Sequence, residues 1–291
     1  MARDAREVRG AWSKFQRHWY GVPAADLHPF VSGYWAAEWD LRGQRPYRQK
    51  IVPYPNVQLT FRDGDALVRG PERGHVVRTL AGRGGVFGVT FRPGCFRPFL
   101  GASISTITGR TLPAATVFGA DLPQITPQAI EEADDRVAGP LGELSGADAF
   151  PGDRAARTFD ELSRANALAI EGFLRARLPR PDPLAEQAAA IVARIQAEPQ
   201  LTRVDAVARS AGLGVRRLQR LFAEYVGLGP KWVIRRYRLH EVGERLAAGV
   251  DIDWVRLAAE LGYADQAHFI RDFTAIVGES PTRYAARYPR H

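Results

Sequence analysis

The sequence predicts two dissimilar parts. The first is an α+β domain, mostly antiparallel β with following helices, and the second is an all-α domain of two helix-turn-helix units joined by a central helix. Three observations predict this division. Alternating apolar residues occupy short stretches of the first 120 positions, a Pro-rich stretch interrupts the chain at 179–183, and a helical pattern after Leu201 occurs twice. A chain of 291 residues is long enough for two domains.

The β-rich part is predicted from stretches in which apolar and aromatic residues alternate with polar ones. The candidate strands are 30–39, 57–61, 66–69, 75–80 and 86–91. The sequence Arg-Asp-Gly-Asp at 62–65 is a turn signal, so the strands beside it are expected to form a hairpin. The Gly-rich residues 81–85 are expected to separate the last two strands, and a short helix is expected at 96–100.

Residues 131–178 are expected to be largely helical. Their apolar residues form a seam that consists of Phe159, Leu162, Leu168, Ile170, Phe173 and Leu174. This seam fits a helix between domains or subunits, and it fits equally a helix packed on the protein's own sheet. Three Pro at 179–183 predict a stiff linker. We therefore place one domain at 1–178, β-rich to residue 120 and helical over 127–178, and the other at 184–291.

The first helix-turn-helix unit is predicted over 201–227. Thr202, with Asp205 three residues later, is a candidate cap for its first helix, which Gly212 ends. A second helix, 215–226, has two faces. The apolar face consists of Leu218, Leu221, Phe222 and Tyr225, and the opposite face of Arg216, Gln219, Arg220 and Ala223. Arg recognises guanine and Gln recognises adenine, so the second face is a candidate for reading bases, although an ordinary surface helix also has two such faces.

The second unit repeats this pattern about fifty positions later. Asp251 or Asp253 is expected to cap its first helix and Asp265 its second. The outward face of the second helix carries Ala267, Ile270, Arg271 and Thr274, flanked by Gln266 and His268. Arg271 falls where the first unit has Arg220, and packing alone does not require that match. The repeat therefore favours a function for both arginines over an ordinary surface helix.

A central helix over 230–248 is expected to join the two units, with Pro230 at its first position. Its early turns are basic, with Lys231, Arg235, Arg236 and Arg238. We interpret the first three as phosphate contacts or as charges that face the other domain. Residues 214–238 hold seven basic residues and one acidic residue. Within a chain of net charge +8, this local concentration is the pattern expected of a surface that binds nucleic acid. A rigid helix would also fix the roughly 34 Å that separates adjacent major grooves.

The repeated pattern resembles the carboxyl-terminal DNA-binding domain of AraC/XylS-type bacterial transcription regulators. In the first unit and the central helix the matching residues are Ala208, Gly212, Leu218, Arg220, Phe222, Gly227, Pro230, Arg236, Arg238 and Leu239. In the second unit they are Ala258, Leu261, Gly262, Tyr263, Gln266, His268, Phe269, Arg271, Phe273, Gly278, Ser280, Pro281 and Tyr284. The family usually has Ser or Asp at the start of the first recognition helix, where this chain has Gly214, which is still an acceptable cap.

The β-rich part resembles a small domain often found ahead of this type of helix-turn-helix pair. The resemblance lies in Pro-Tyr-Pro-Asn at 53–56, in Gln58, Leu59 and Phe61, and in the stretch 88–94. It implies a regulatory or sensing module and supplies no ligand. Several aromatic residues of this part fit either a pocket for a small ligand or a core: Trp12, Trp19, Tyr34, Trp35, Trp39 and Tyr47.

Cys95 is the only cysteine, so neither an intrachain disulfide nor a Cys-based zinc site can form. Near Arg92 and Arg97, it is either a thiol of lowered pKa or a buried structural residue. The histidines of the first part, His18, His28 and His75, lack the spacing of a metal site. We therefore expect neither a metal nor a cofactor. Residues 1–21 do not resemble a signal peptide and no apolar run could span a membrane, so a cytoplasmic protein is expected.

The sequence predicts a sequence-specific DNA-binding transcription regulator, activator or repressor, that responds to an effector through its first part. Arg216, Gln219 and Arg220 would read bases from the first unit. Arg271 would do so from the second, together with Gln266, Ala267 and His268. Expected partners are double-stranded DNA, a small-molecule effector, RNA polymerase and a second copy of the chain. No nucleophile–base pair or phosphate loop indicates an enzyme. The alternatives are a β-barrel enzyme with a DNA-binding appendage and a helix-turn-helix module that binds protein.

Overall fold

A computed structural model describes residues 15–127, 153–247 and 252–286 of the chain. Within these ranges, eight strands build the first part of the molecule. The strands are β1 (Gln16–Gly21), β2 (Val31–Leu41), β3 (Tyr47–Ile51), β4 (Gln58–Arg62), β5 (Asp65–Arg69), β6 (Val76–Leu80), β7 (Gly82–Phe91) and β8 (Thr111–Pro113). Six of them form an antiparallel sheet in the order β1-β2-β7-β4-β5-β8. The other two, β3 and β6, form a separate antiparallel ribbon.

The hairpin predicted around residues 62–65 is confirmed. Arg62 pairs with Asp65 across a two-residue turn. The turn residues Asp63 and Gly64 both have positive φ, 52° and 83°, as the tight hairpin turns that match strand twist require. Asp tolerates this left-handed backbone better than most residues, and Gly adopts it freely.

The sequence did not predict β1 and β3, and the expected turn at 81–85 is wrong. Residues 82–85 are the first half of β7, and only Ala81 separates β6 from β7. The glycines have a steric reason to lie in a strand. A Cβ on Gly84 would lie 2.5 Å from Trp39 Cζ2, and one on Gly88 would lie 2.3 Å from Trp35 Cε2. Two tryptophan rings therefore lie across β7 where it has no side chains.

A long helix, α3 (Asp153–Arg175), covers the core face of the six-stranded sheet. Phe159, Ile170 and Leu174 are buried in the same apolar cluster as the sheet residues Phe87 and Val89. Of the two interpretations of the predicted seam, packing on the protein's own sheet is therefore the one observed, although Leu168 is 68% exposed. Shorter elements complete this part: α1 (Arg97–Leu100), a 3-10 helix (Ile104–Ile107) and α2 (Ala115–Phe118). The remainder of the predicted helical region, 131–152, lies outside the described residues.

Seven helices follow. They are α4 (Pro183–Ala197), α5 (Val204–Ser210), α6 (Val215–Tyr225), α7 (Pro230–Ala247), α8 (Trp254–Glu260), α9 (Gln266–Val277) and α10 (Pro281–Ala285). The helix pair α5–α6 packs with α4 around one apolar core, and the pair α8–α9 packs around another. Helix α7 contributes residues to both cores, Val233 to the first and Val242 to the second. The two predicted units and their connecting helix are thus present. None of the helices within the described ranges is long and apolar enough to cross a membrane.

Side-chain caps are present at the starts of α4, α8, α9 and α10. Asp253 accepts hydrogen bonds from two backbone N–H groups at the start of α8, and Asp265 accepts one from His268 N. The predicted cap at Thr202 is wrong, because Arg203 occupies the cap position of α5 and makes no side-chain cap bond there. Thr202 instead lies against Gly262, in the turn of the second unit. The predicted linker ends as α4 begins at Pro183, and the domain limits themselves stay predictions.

Two glycines in the first unit allow a matched test of helix capping. We expect Gly214→Ser to raise the free energy of unfolding by about 0.5–1 kcal/mol, because Ser supplies the missing cap and restricts the unfolded chain. Gly214 has φ −76°, and nothing lies within 4 Å of its Cβ position. Gly212→Ser should lower the free energy of unfolding by about 1–2 kcal/mol, because Gly212 has φ 65° in equally open space. Equilibrium urea unfolding followed by circular dichroism measures both, and an equal effect of the two substitutions would contradict this account.

Candidate nucleic-acid interface

Helix α6 has one buried face and one exposed face, as the sequence predicted. Leu218 and Phe222 have no exposed surface, whereas Arg216, Gln219 and Arg220 are exposed. Among the described residues, neither Arg216 nor Arg220 has a hydrogen-bond or ion-pair partner. Their guanidinium groups are therefore available to a ligand outside the chain.

Helix α9 presents the corresponding row in the second unit. Gln266, Ala267 and Arg271 are exposed, and Ile270 beside them is 38% exposed. Phe269 and Phe273 on the opposite face are completely buried. Arg271, like Arg220, has no polar partner in the part of the chain that the structure describes. Each recognition helix thus has an exposed arginine on one face and buried phenylalanine on the opposite face.

His268 belongs to a polar cluster that connects α9 to α7. Arg235 Nη1 lies 2.5 Å from Asp272 Oδ2, and Arg235 Nη2 lies 3.2 Å from His268 Nε2. The His268 ring also packs edge-on against Tyr263, with ring centroids 5.2 Å apart. Both predicted DNA contacts, Arg235 and His268, are therefore about a quarter to a third exposed and are already held by protein groups. The cluster fixes the orientation of α9 on α7.

Arg236 is a correction to the predicted phosphate contacts. Its side chain is fully buried, and its Nε donates a hydrogen bond of 2.5 Å to the Pro53 carbonyl oxygen of the other part of the molecule. Two roles were predicted for basic residues of α7, a phosphate contact or a charge that faces the other domain. Arg236 has the second role. Lys231 is exposed and keeps the phosphate role as a prediction. The sequence contained the signal, since Arg236 lies three residues from both Val233 and Leu239 on the buried face of α7.

The β3–β6 ribbon and the segment that follows β3 make further contacts with α7 and with the end of α9. Tyr54 stacks on His240, with ring centroids 3.8 Å apart and an interplanar angle of 9°. Burial, and then the positive charge of Arg236, lowers the pKa of His240 to about 3, so this imidazole is neutral at physiological pH. Lys50 Nζ lies 3.6 Å from Glu279 Oε1 and donates to the Gly278 carbonyl oxygen at 3.4 Å. The end of α9 is thus tied to the ribbon.

The first unit is held by a different segment of the same domain. Arg97 Nε lies 2.9 Å from Glu224 Oε1 on α6. Thr108 Oγ1 donates to the Gly227 carbonyl oxygen at 2.7 Å, and Ser103 Oγ donates to the Ala223 carbonyl oxygen at 3.1 Å. These contacts involve the carboxyl end of α6 and leave Arg216 and Arg220 uncovered. The amino-terminal part therefore holds the ends of both recognition helices.

Cys95 is a buried structural residue, and its thiol pKa is not lowered. Its side chain is 3% exposed, and burial raises its pKa to about 11 despite the nearby positive charge of Arg92. Tyr34 and Trp39, from the predicted aromatic set, are core residues, whereas Trp35 is half-buried. Trp12 lies outside the described residues. Within residues 15–127, 153–247 and 252–286, no three His, Cys, Asp or Glu side chains cluster as metal ligands would.

Comparisons with known proteins match both parts of the chain. Residues 207–287 match a family model described as a helix-turn-helix domain, and residues 21–113 match a domain of unknown function, DUF6597. The carboxyl-terminal domain of AraT, a response regulator from Geobacillus stearothermophilus, is 20% identical with a TM-score of 0.32, over 37% of this chain and 87% of that chain. ToxT from Vibrio cholerae is 11% identical with a TM-score of 0.40, over 94% of this chain and 99% of that chain. No curated protein sequence matches.

The burial of Cys95 predicts a thiol of low reactivity. At pH 8 a thiol with a pKa of about 11 is only about one-thousandth thiolate, which is the reactive form. We expect a thiol-reactive disulfide reagent to label the folded protein at least about 100-fold more slowly than the protein unfolded in guanidinium chloride. Absorbance of the released thiol measures both rates. Rapid stoichiometric labelling of the folded protein would restore Cys95 as a candidate redox switch.

Proposed function

We propose that this chain, whose residues 207–287 form a helix-turn-helix domain of the AraC type, is a sequence-specific DNA-binding transcription regulator. The observation that carries the proposal is the pair of matching exposed rows on α6 and α9, each with an arginine that no group within the described ranges neutralises. Packing explains the buried faces of these helices and gives no reason for the two arginines. A polyanion that contacts both helices does give one.

In the first unit, Arg216, Gln219 and Arg220 would read base edges in the major groove. A guanidinium donates two parallel hydrogen bonds to guanine, and a Gln amide pairs with adenine in the same way. The row ends at Ala223, whose small exposed side chain lets the helix approach the bases closely. Ser103 contacts only the Ala223 backbone carbonyl and Arg97 contacts Glu224, so neither contact involves the side chains of this row.

In the second unit, Arg271 would be the principal reader. Gln266 lies at the first position of α9, where the positive end of the helix dipole also attracts a phosphate. Ala267 and Ile270 present apolar surface that fits thymine methyl groups. His268 would act from its fixed position beside Arg235 and Asp272. Lys231 would add a phosphate contact from the start of α7.

The finer part of the proposal is that an effector acts on DNA binding through the amino-terminal part. The support is physical: this part contacts α6 through Arg97 and Thr108, and it contacts α7 and the end of α9 through Pro53 and Lys50. A ligand that changes its shape would therefore change forces on both recognition helices. Two sites joined in this way satisfy the physical requirement for a coupling free energy.

Arg220→Ala should cost about 1–3 kcal/mol of binding free energy at one base position and relax specificity there. The control is Arg42→Ala, which removes another exposed arginine, one that pairs with Asp40 in a turn of the amino-terminal part. Fragments selected from genomic DNA supply the site, and titrations of single-base variants at several salt concentrations measure the affinities. An equal loss on all sequences would make Arg220 a phosphate contact, and DNA binding without salt dependence would contradict the proposal.

Loosening the ribbon contact should make the protein more tolerant of altered spacing between the two half-sites. Lys50→Ala combined with Tyr54→Ala removes contacts that restrain the second unit. The loss of affinity caused by one inserted base pair should therefore be about fivefold smaller for the double variant than for the wild type. Arg48→Ala, on the exposed side of the same strand, is the control. The measured quantity is the ratio of affinities for the two sites. An unchanged ratio in a folded double variant would show that α7 alone sets the spacing.

A further inference from the structure

One side of the β3–β6 ribbon faces the six-stranded sheet. Leu80 of the ribbon packs with Trp39 and Val86 of the sheet. Burial alternates along β6, so that Leu80 and Arg78 are covered while Val77 and Thr79 are exposed. Because alternate residues of a strand share a side, Arg78 lies on the side of the ribbon that faces the sheet.

The sheet presents an aromatic and polar surface on this same side. Trp35 pairs with Gly88, and Gly88 pairs with Thr60, so these residues share one face. Arg69 joins them, because its Nε donates to Thr60 Oγ1 at 3.0 Å. We call Trp35, Thr60, Arg69 and Arg78 the ribbon-facing surface. It borders the apolar contact of Leu80 with Trp39, so one end is cationic and the other is apolar.

Neither arginine of the ribbon-facing surface has an anionic hydrogen-bond partner in the described part of the chain. Arg69 donates only to the hydroxyl oxygens of Thr60 and Thr111, and Arg78 makes no hydrogen bond or ion pair with any residue that the structure describes. Burial lowers the pKa of both arginines, and the positive charges of Arg78 and Arg62 lower that of Arg69 further. Glu72 opposes this effect from beyond ion-pair distance of either arginine. Positive charge therefore exceeds negative charge in a half-buried place, where an anion gains most from a charge-assisted hydrogen bond.

Trp35 supplies the apolar element of the surface. Its indole lies so close to the Gly88 backbone that a Cβ there would be 2.3 Å from Cε2. The ring is half-buried and, among the described residues, it belongs to none of the apolar core clusters. A partly exposed indole on the same face as Arg69 is suited to a flat ligand, since planar groups stack on aromatic rings.

We propose that the ribbon-facing surface binds a small planar carboxylate, with the carboxylate at Arg69 and Arg78 and the flat apolar part on Trp35. The inference rests on the proposed function in one respect, since the bound molecule would be the effector of DNA binding. Two guanidinium groups with neutral partners favour an anion over a neutral molecule. The indole favours a flat apolar body over a bare inorganic ion.

The ribbon gives this site a direct connection to the second helix-turn-helix unit. Arg78 lies in β6, and that strand begins next to His75, whose ring occupies the space beside Gly278. The partner strand β3 carries Lys50, which contacts Gly278 and Glu279. A ligand that draws Arg78 toward Arg69 would therefore move the strands that hold the end of α9.

The test uses the full-length protein and three probes: trans-cinnamate, its neutral counterpart cinnamyl alcohol, and inorganic phosphate. Calorimetric titration without DNA should show saturable binding of cinnamate with a Kd in the millimolar range or tighter, and no comparable binding of the other two. Arg69→Gln and Arg78→Gln should each weaken cinnamate binding by about tenfold or more, the loss expected for one charge-assisted hydrogen bond. Arg78→Lys keeps the charge and should retain part of the affinity.

The control is Arg48→Ala, which removes a positive charge from the exposed side of the ribbon and should leave cinnamate binding unchanged. Far-ultraviolet circular dichroism and a thermal melt identify any variant that does not fold. The inference is overturned if cinnamate does not bind, if cinnamyl alcohol or phosphate binds as well as cinnamate, or if folded Arg69 and Arg78 variants bind cinnamate normally. Because no DNA is present, each of these results leaves the DNA-binding proposal to be judged by Arg220→Ala.

Discussion

The burial of Arg236 between the two parts of the molecule is the contact on which their arrangement depends. Its side chain is fully covered, yet only Nε has a hydrogen-bond partner, and both Nη atoms lack one among the described residues. Burial lowers its pKa to about 9, so the group still carries its charge at neutral pH. The Trp232 ring, 5.8 Å from Cζ, offsets part of the cost of that burial. A desolvated charge with one hydrogen bond is a poor source of stability and a sensitive determinant of geometry.

Helix α7 uses three arginines to fix three neighbouring segments. Arg235 binds Asp272 on α9, Arg236 binds the backbone at Pro53, and Arg238 donates to the carbonyl oxygens of Ile195 and Glu198 at the end of α4. A helix turns by about 100° per residue, so three arginines within four positions point in different directions. Three of the seven basic residues that indicated nucleic-acid binding at 214–238 therefore hold α7 between its neighbours. The exposed arginines on α6 and α9 are left as the ones directed at solvent.

The helical part was largely predictable from sequence because local rules determine it. Gly212, Asp253 and Asp265 act within a turn of where they stand, and the apolar spacing of Leu218 and Phe222 follows from helix geometry alone. Long-range contacts were not predictable. Thr202 is a residue type that caps helices, but it lies against Gly262. Gly84 was expected to lie between strands, because the Trp39 ring that it accommodates comes from β2, more than forty positions earlier. The burial of Arg236 likewise depends on Pro53, 183 positions away.

The contact between the two parts is made of interactions that are individually weak. Arg97 and Glu224 are more than a third exposed, so their ion pair contributes about 0–1 kcal/mol, and the hydrogen bond from Thr108 to Gly227 contributes about 1 kcal/mol. The uncompensated charge of Arg236 opposes them. The balance between the arrangement seen here and a looser one is therefore small, and a coupling free energy of about 1–3 kcal/mol from a bound ligand is enough to shift it. A strongly bonded interface would require far more, so a weakly held contact around one buried charge fits the proposal that an effector acts through the amino-terminal part.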